Sequence, residues 1–192
     1  MAPSDDYISF DEIGDVLASV ELTSSLAPTL VDNPLGWKWV ILAAHSAMQG
    51  AMVCAYADSA NTSLLSKRSE RKMWAWLNAD PATRGPYPDE RLSEFGELLS
   101  KCLRGSHNCD RLVLTRQQCR NIRRLHRLRN SFTHFTPKGW GIEKAWLLPI
   151  IAVALDVVEE LMNRTQVIYR VDDDQRERLH GALSTTRRAL SA

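Results

Sequence analysis

From Trp37 to Ala57 the chain is apolar on nearly every side, and only Lys38, His45, Ser46, Gln49 and Gly50 stand out as exceptions. A helix of that composition has no polar face to offer water, so it belongs at the centre of a bundle of other helices. The same exceptions break the long apolar run that a membrane span of about 20 residues carries, and polar groups inside a bilayer are rare and costly. A buried helix is expected, with no membrane as partner. Elsewhere apolar residues recur at three- and four-residue spacing, and alternating β-branched runs are absent. These patterns predict an all-α fold: a helical bundle of four main helices plus short peripheral helices.

Along the chain, a short helix is expected over Phe10 to Val20, with Ser9 as N-cap and Glu12 completing a capping box. Pro34-Leu35-Gly36 leads into the apolar helix. Asn78, Pro81, Gly85, Pro86 and Pro88 make Ser59 to Asp89 the least regular stretch, with room only for a short helix over Ser69 to Leu77. A helix over Asp89 to Leu103 is expected to end at Gly105 and Asn108. A longer one starts near Thr115 and stops before Pro137, because the residue preceding a proline is pushed out of helical geometry. Ile142 to Met162 is amphipathic and carries Pro149, which kinks the helix or marks its start. Asp172-Asp173-Asp174 opens a last helix to about Leu190. No repeat, low-complexity tract or linker divides the sequence, so residues 1–192 are expected to form one domain.

The 192 residues are 44% hydrophobic and 24% charged, with a formal net charge of +1. Global charge therefore points to no anionic partner, and such a partner has to be sought in local charge. The first fifteen residues carry Asp5, Asp6, Asp11, Glu12 and Asp15 and no Lys or Arg, the reverse of a basic export signal. Cys54, Cys102, Cys109 and Cys119 form no C-x-x-C pair, which fits reduced thiols in a cytoplasm. Their spacing with His107 is not that of a zinc knuckle, and neither a metal nor another cofactor is expected. The three aspartates suit a helix N-terminus better than a metal site.

Local charge is concentrated in one place. Between Arg111 and Ile142 stand eight basic residues (Arg111, Arg116, Arg120, Arg123, Arg124, Arg127, Arg129 and Lys138) and no Asp or Glu. At about 100 degrees per residue, Arg116, Arg120, Arg123, Arg127 and His134 fall within about 60 degrees of one another. Ile122, Leu125, Leu128 and Phe132 form a separate apolar stripe. Such a face is either solvated and paired with acidic neighbours such as Glu159 and Glu160, or it meets an anion, typically phosphate. The absence of internal i,i+4 carboxylates favours the second reading. Arg129 departs from the pattern: it points toward the apolar stripe, about 140 degrees from His134 on an ideal wheel. It needs a partner there. The two residues converge only through Arg129's reach, a bent helix end or a second chain. Asn130 and His134 share a face.

Arg129-Asn130-Ser131-Phe132-Thr133-His134 at the end of a long helix resembles the hallmark of the HEPN superfamily: Arg, a polar residue, three more residues, then His. The flanks from Leu128 to Trp140, with Phe135-Thr136-Pro137-Lys138-Gly139, and the apolar helix bearing His45 and Gln49 are similar to small stand-alone bacterial members. The resemblance implies a metal-independent endoribonuclease of the toxin or antiviral-defence kind, acting as a homodimer with two motifs facing one cleft. It also implies the alternative of a silent HEPN module that binds a nucleotide, RNA or a protein. An antitoxin or regulatory protein is a further partner that it suggests. Two-gene toxins of the superfamily carry a tyrosine two residues after the His, where this chain has Thr136, so that regulation is not carried over.

In these terms Arg129, Asn130 and His134 are the catalytic set. An imidazole takes a proton from the ribose 2′-hydroxyl or gives one to the leaving 5′-oxygen. Arg129 neutralises charge on the phosphorane, and Asn130 orients the imidazole or binds a non-bridging oxygen. Two copies of His134 in a twofold dimer would supply both acid and base. Arg116, Arg120, Arg123, Arg127 and Lys138 are the RNA-binding candidates. His45, Gln49 and Trp140 form a supporting shell, against the plainer reading of His45 as a satisfied core residue. His126 reads as structural or RNA-contacting. Trp74, Trp76, Trp140 and Trp146 read as core or interface anchors, with Trp140, next to the motif, the one to test for base stacking.

Overall fold

The computed structural model describes residues 7–57, 62–105, 110–134, 137 and 139–191. Among them are eight α-helices and no strand: α1 (Glu12–Leu26), α2 (Trp37–Tyr56), α3 (Lys67–Leu77), α4 (Phe95–Arg104), α5 (Arg116–Thr133), α6 (Lys144–Met162), α7 (Thr165–Ile168) and α8 (Asp173–Ser191). The fold is an all-α helical bundle. The chain gathers into two compact units, residues 1–54 with 115–192 and residues 55–114. The boundary falls in the last turn of α2.

In the first unit α1 packs along α8, α5 against α6, and α6 against α8. α2 supplies much of the core: Val40, Ile41, Ala47, Met48, Ala51 and Met52 are completely buried. By length and composition Pro34–Tyr56 would also pass for a membrane span, and 72% of its most apolar stretch is buried within the protein. Small residues let α2 approach its neighbours. A Cβ on Gly50 would stand 2.7 Å from Val16 Cγ2, where α1 crosses. Ion pairs bind the outer helices, with Arg178 of α8 holding Glu21 of α1 at 2.8 and 3.0 Å and Arg170 reaching Glu12.

Two helix starts differ from expectation. α1 begins at Glu12 because Asp11, not Ser9, caps it by accepting the Gly14 N–H at 2.6 Å; a carboxylate suits the positive end of the helix. It runs on past Val20, where Thr23 is also buried. α4 begins at Phe95, not Asp89, because the chain before it is used elsewhere. In the second unit Ser66 N–H donates to Arg91 O and Ser93 N–H to Leu64 O, both at 2.8 Å, which holds Leu65 and Leu92 in an antiparallel bridge. The Lys101 ammonium fastens this bridge through Ser63 O, Leu65 O and Ser93 Oγ. Gly105 ends α4 with φ of 76°, as only glycine does readily; Asn108 lies outside the described residues.

Pro149 sits inside α6. Its carbonyl accepts from the buried Asn121 side chain at 3.2 Å, tying α6 to α5. α5 itself opens on a reciprocal cap between Thr115 and Gln118, and α8 on one between Asp172 and Gln175.

The close crossing at Gly50 gives a direct test. Gly50→Val forces Val16 and Asp15 aside and is expected to cost about 1–3 kcal/mol. For a domain of this size that lowers Tm by roughly 2–4 °C per kcal/mol in a thermal melt. Gly181→Ala, where an added methyl meets nothing within 4 Å, should instead raise Tm slightly through helix propensity.

Candidate active site

α5 presents three strips. Ile122 and Leu125 are fully buried, and Leu128 and Phe132 continue that stripe half-buried. Arg116, Arg120, Arg123 and Arg127 are exposed on the other side. Between them run His126, Asn130 and His134, each four residues after the last. Among the described residues none of the six arginines of α5 forms an ion pair; Arg120 donates to Gln117 Oε1, and Arg124 lies 5.9 Å from the centre of the Trp146 ring. The acidic neighbours are engaged elsewhere. Glu159 accepts from Arg187 at 2.7 Å, a hydrogen bond that holds its carboxyl below the usual range, and Glu160 accepts from Arg164.

Arg129 finds its partner next door. Its Nη1 donates to Asn130 Oδ1 at 3.0 Å. The Asn130 amide nitrogen then lies 3.2 Å from His126 Nε2, and His126 Nδ1 lies 3.0 Å from His45 Nε2 on α2. The imidazoles are stacked, with centroids 5.2 Å apart. Four side chains thus form one line across two helices.

The direction of every hydrogen bond in that line follows from its first member. A guanidinium has donors and no acceptor, so the Asn130 oxygen must face Arg129 and its NH2 must face His126. His126 Nε2 therefore accepts, and the neutral ring carries its proton on Nδ1. That proton is donated to His45 Nε2, which leaves the His45 proton on its own Nδ1. Both imidazoles are neutral in this arrangement. His45, only 2% exposed, is held neutral: burial first, then the neighbouring His126 and Arg129, push its pKa down to about 3.

His134 closes α5. It has left helical geometry at φ −114° and ψ 52°, and its backbone N–H donates to Asn130 O at 2.9 Å. Its side chain is exposed and makes no hydrogen bond among the described residues. Motif members Arg129 and Asn130 are therefore brought together, with His134 one turn beyond them. His45 joins the line, whereas Gln49, half-buried one turn further along α2, makes no side-chain hydrogen bond among the described residues. Trp140 packs on Phe132 at 4.8 Å between ring centres. Trp74 and Trp146 are exposed, and Trp76 lies edge-on to Tyr87. Lys138, His107, Cys109, Phe135 and Thr136 lie outside the described residues. Among those described, no group of three metal-ligating side chains occurs.

His126 is the residue whose position sequence reasoning left undecided. The signal was present: it stands four residues before Asn130 and eight before His134, so all three share one face of a straight helix. Its pairing with His45, 81 positions away, had no signal at all.

No family profile matches the chain, and neither does any curated protein or solved structure.

The buried neutral His45 makes stability fall in acid. Above the ordinary imidazole value of 6.5 the folded and unfolded chains both leave it neutral. Below 6.5 the unfolded chain takes up a proton, and the folded one does not until about pH 3. Across that window the folded state loses up to about 1.4 kcal/mol per pH unit from this group. Urea unfolding at pH 7, 6, 5 and 4 should show the loss. His45→Gln, which keeps an acceptor for His126 and does not titrate, should flatten part of the slope; an unchanged slope would count against a neutral buried His45.

Proposed function

We propose that the chain is a HEPN-type, metal-independent endoribonuclease, with Arg129, Asn130 and His134 at its centre. The observation that carries this reading is an arginine-rich α5 with no carboxylate partner among the described residues, ending on a guanidinium, an amide and an exposed imidazole. Charge left unpaired along one face suits a phosphate backbone. Arg129 gives one of its five N–H donors to Asn130, and the others remain for a phosphate.

In the proposed reaction an imidazole removes the ribose 2′-hydroxyl proton while the oxygen attacks the adjacent phosphorus. The P–O5′ bond breaks, a second imidazole protonates the leaving oxygen, and a 2′,3′-cyclic phosphate and a 5′-hydroxyl remain. Arg129 meets the charge on the phosphorane. His134 is the first imidazole. The second is His134 of another copy in a homodimer. An antitoxin or regulatory protein would act on such an enzyme from outside.

A second reading also has an observation behind it. Arg129, Asn130, His126 and His45 satisfy one another, as a structural element would, and a silent HEPN module that binds RNA or nucleotide without cutting fits that.

Purified protein incubated with total RNA in EDTA separates the two. Cleavage should persist in EDTA, spare DNA and leave cyclic phosphate ends. His134→Ala should slow it by roughly 10²- to 10⁴-fold, and Arg129→Ala by roughly 10²- to 10³-fold. Equal cleavage by wild type and His134→Ala, or none by either, sinks the nuclease reading. RNA binding is expected to weaken with salt, and each of Arg116, Arg120, Arg123 and Arg127 changed to Gln should flatten the log–log slope by about 0.7.

A further inference from the structure

A second feature lies along the same seam between α2 and α5. A pocket of about 630 Å³ is lined by Trp37, Trp39, Phe132 and Trp140 together with Lys38 and Lys144. The rest of its lining is aliphatic or proline, with no carboxylate. Its size falls within the range of sites that enclose one small molecule, roughly 300–1,000 Å³. Trp39 and Trp140 are 53% and 38% exposed. The Lys38 ammonium lies over one face of the Trp39 ring, 4.8 Å from its centre, so the aromatic wall and a positive charge meet in one part of the pocket. Aromatic faces stack on planar bases, and ammonium groups hold phosphate.

The register of the two helices relates this pocket to the motif. His45 meets His126, and seven residues back along α2 Lys38 shares the pocket with Phe132, six residues further along α5. The helices therefore run antiparallel, and the pocket opens about 10 Å from the histidine pair. Arg129 and Asn130 lie between. Phe132 follows Arg129 by three residues, neighbours on a helix surface.

We propose that this pocket binds one nucleotide, with its base against the tryptophan walls and its phosphate at Lys38 and Lys144. Its role as the seat of the nucleotide beside the scissile phosphate rests on the nuclease reading above; nucleotide binding itself does not.

Calorimetric titration with 5′-AMP, adenosine and ribose 5-phosphate tests the chemistry. AMP should bind more tightly than either fragment. Trp39→Ala should weaken AMP binding roughly 5- to 150-fold, the range for one base stacked on one ring. Lys38→Ala with Lys144→Ala should bring AMP down to the level of adenosine. Trp74→Ala, an exposed indole outside the pocket, should change nothing. A fully 2′-O-methylated RNA, which cannot be cleaved, should displace AMP, and a single abasic position should weaken it by the same factor as Trp39→Ala, without adding to that variant. No AMP binding at millimolar concentration, equal binding of ribose 5-phosphate, or an unaffected Trp39→Ala overturns the pocket. AMP bound but not displaced by the RNA overturns its place at the cleavage centre. If AMP binds through Trp39 and the protein cuts no RNA, the nuclease reading falls and the pocket stands.

Discussion

A group that donates hydrogen bonds and never accepts them imposes order on whatever it touches. Arg129 fixes the Asn130 amide, the amide selects the His126 tautomer, and His126 in turn hands its proton to His45. The last residue in that sequence is 2% exposed in the middle of α2. A histidine so deep in an apolar helix would be costly without a partner. The line of four side chains therefore joins the core to the candidate active site: it satisfies a buried polar group at one end and leaves guanidinium donors at the other.

The allocation of charge follows a similar division. Acidic groups in the first unit are concentrated on α1, α6 and α8, and the arginines nearest to them take them up: Arg170 with Glu12, Arg178 with Glu21, Arg187 with Asp156 and Glu159. Exposed pairs of this kind contribute little stability one by one. None of these carboxylates pairs with an arginine of α5 among the described residues. A protein of net charge +1 thereby keeps one strongly positive face.

Packing of α2 sets where these features meet. Gly50 admits α1 closely on one side, while the first turn of α2 brings Trp37, Lys38 and Trp39 to a pocket that Phe132 of α5 also lines. Because the helices run antiparallel, the histidine pair, the Arg129–Asn130 bond and the aromatic pocket follow one another along a single seam. Hydrophobic placement of a helix has in this way aligned polar chemistry with an aromatic cavity.

Much of this was legible in the residues. The helical class, the span of α2 and of α5, the buried stripe of Ile122 and Leu125, and the exposed arginine face all follow from periodicity, since a helix repeats every 3.6 residues whatever it packs against. The start of α4 was not legible, because Arg91 to Ser93 are claimed by an extended bridge to Leu64–Ser66, a long-range contact with no local pattern. The wheel placed Arg129 away from His134 and demanded a partner for it, and the partner, Asn130, was the adjacent residue. Local periodicity determined which side chains share a face. Only the tertiary structure decided that His45 would meet His126 across 81 positions, and that Trp39 and Trp140 would line one pocket, because such contacts depend on how helices cross, and a helix carries no record of its neighbour's register.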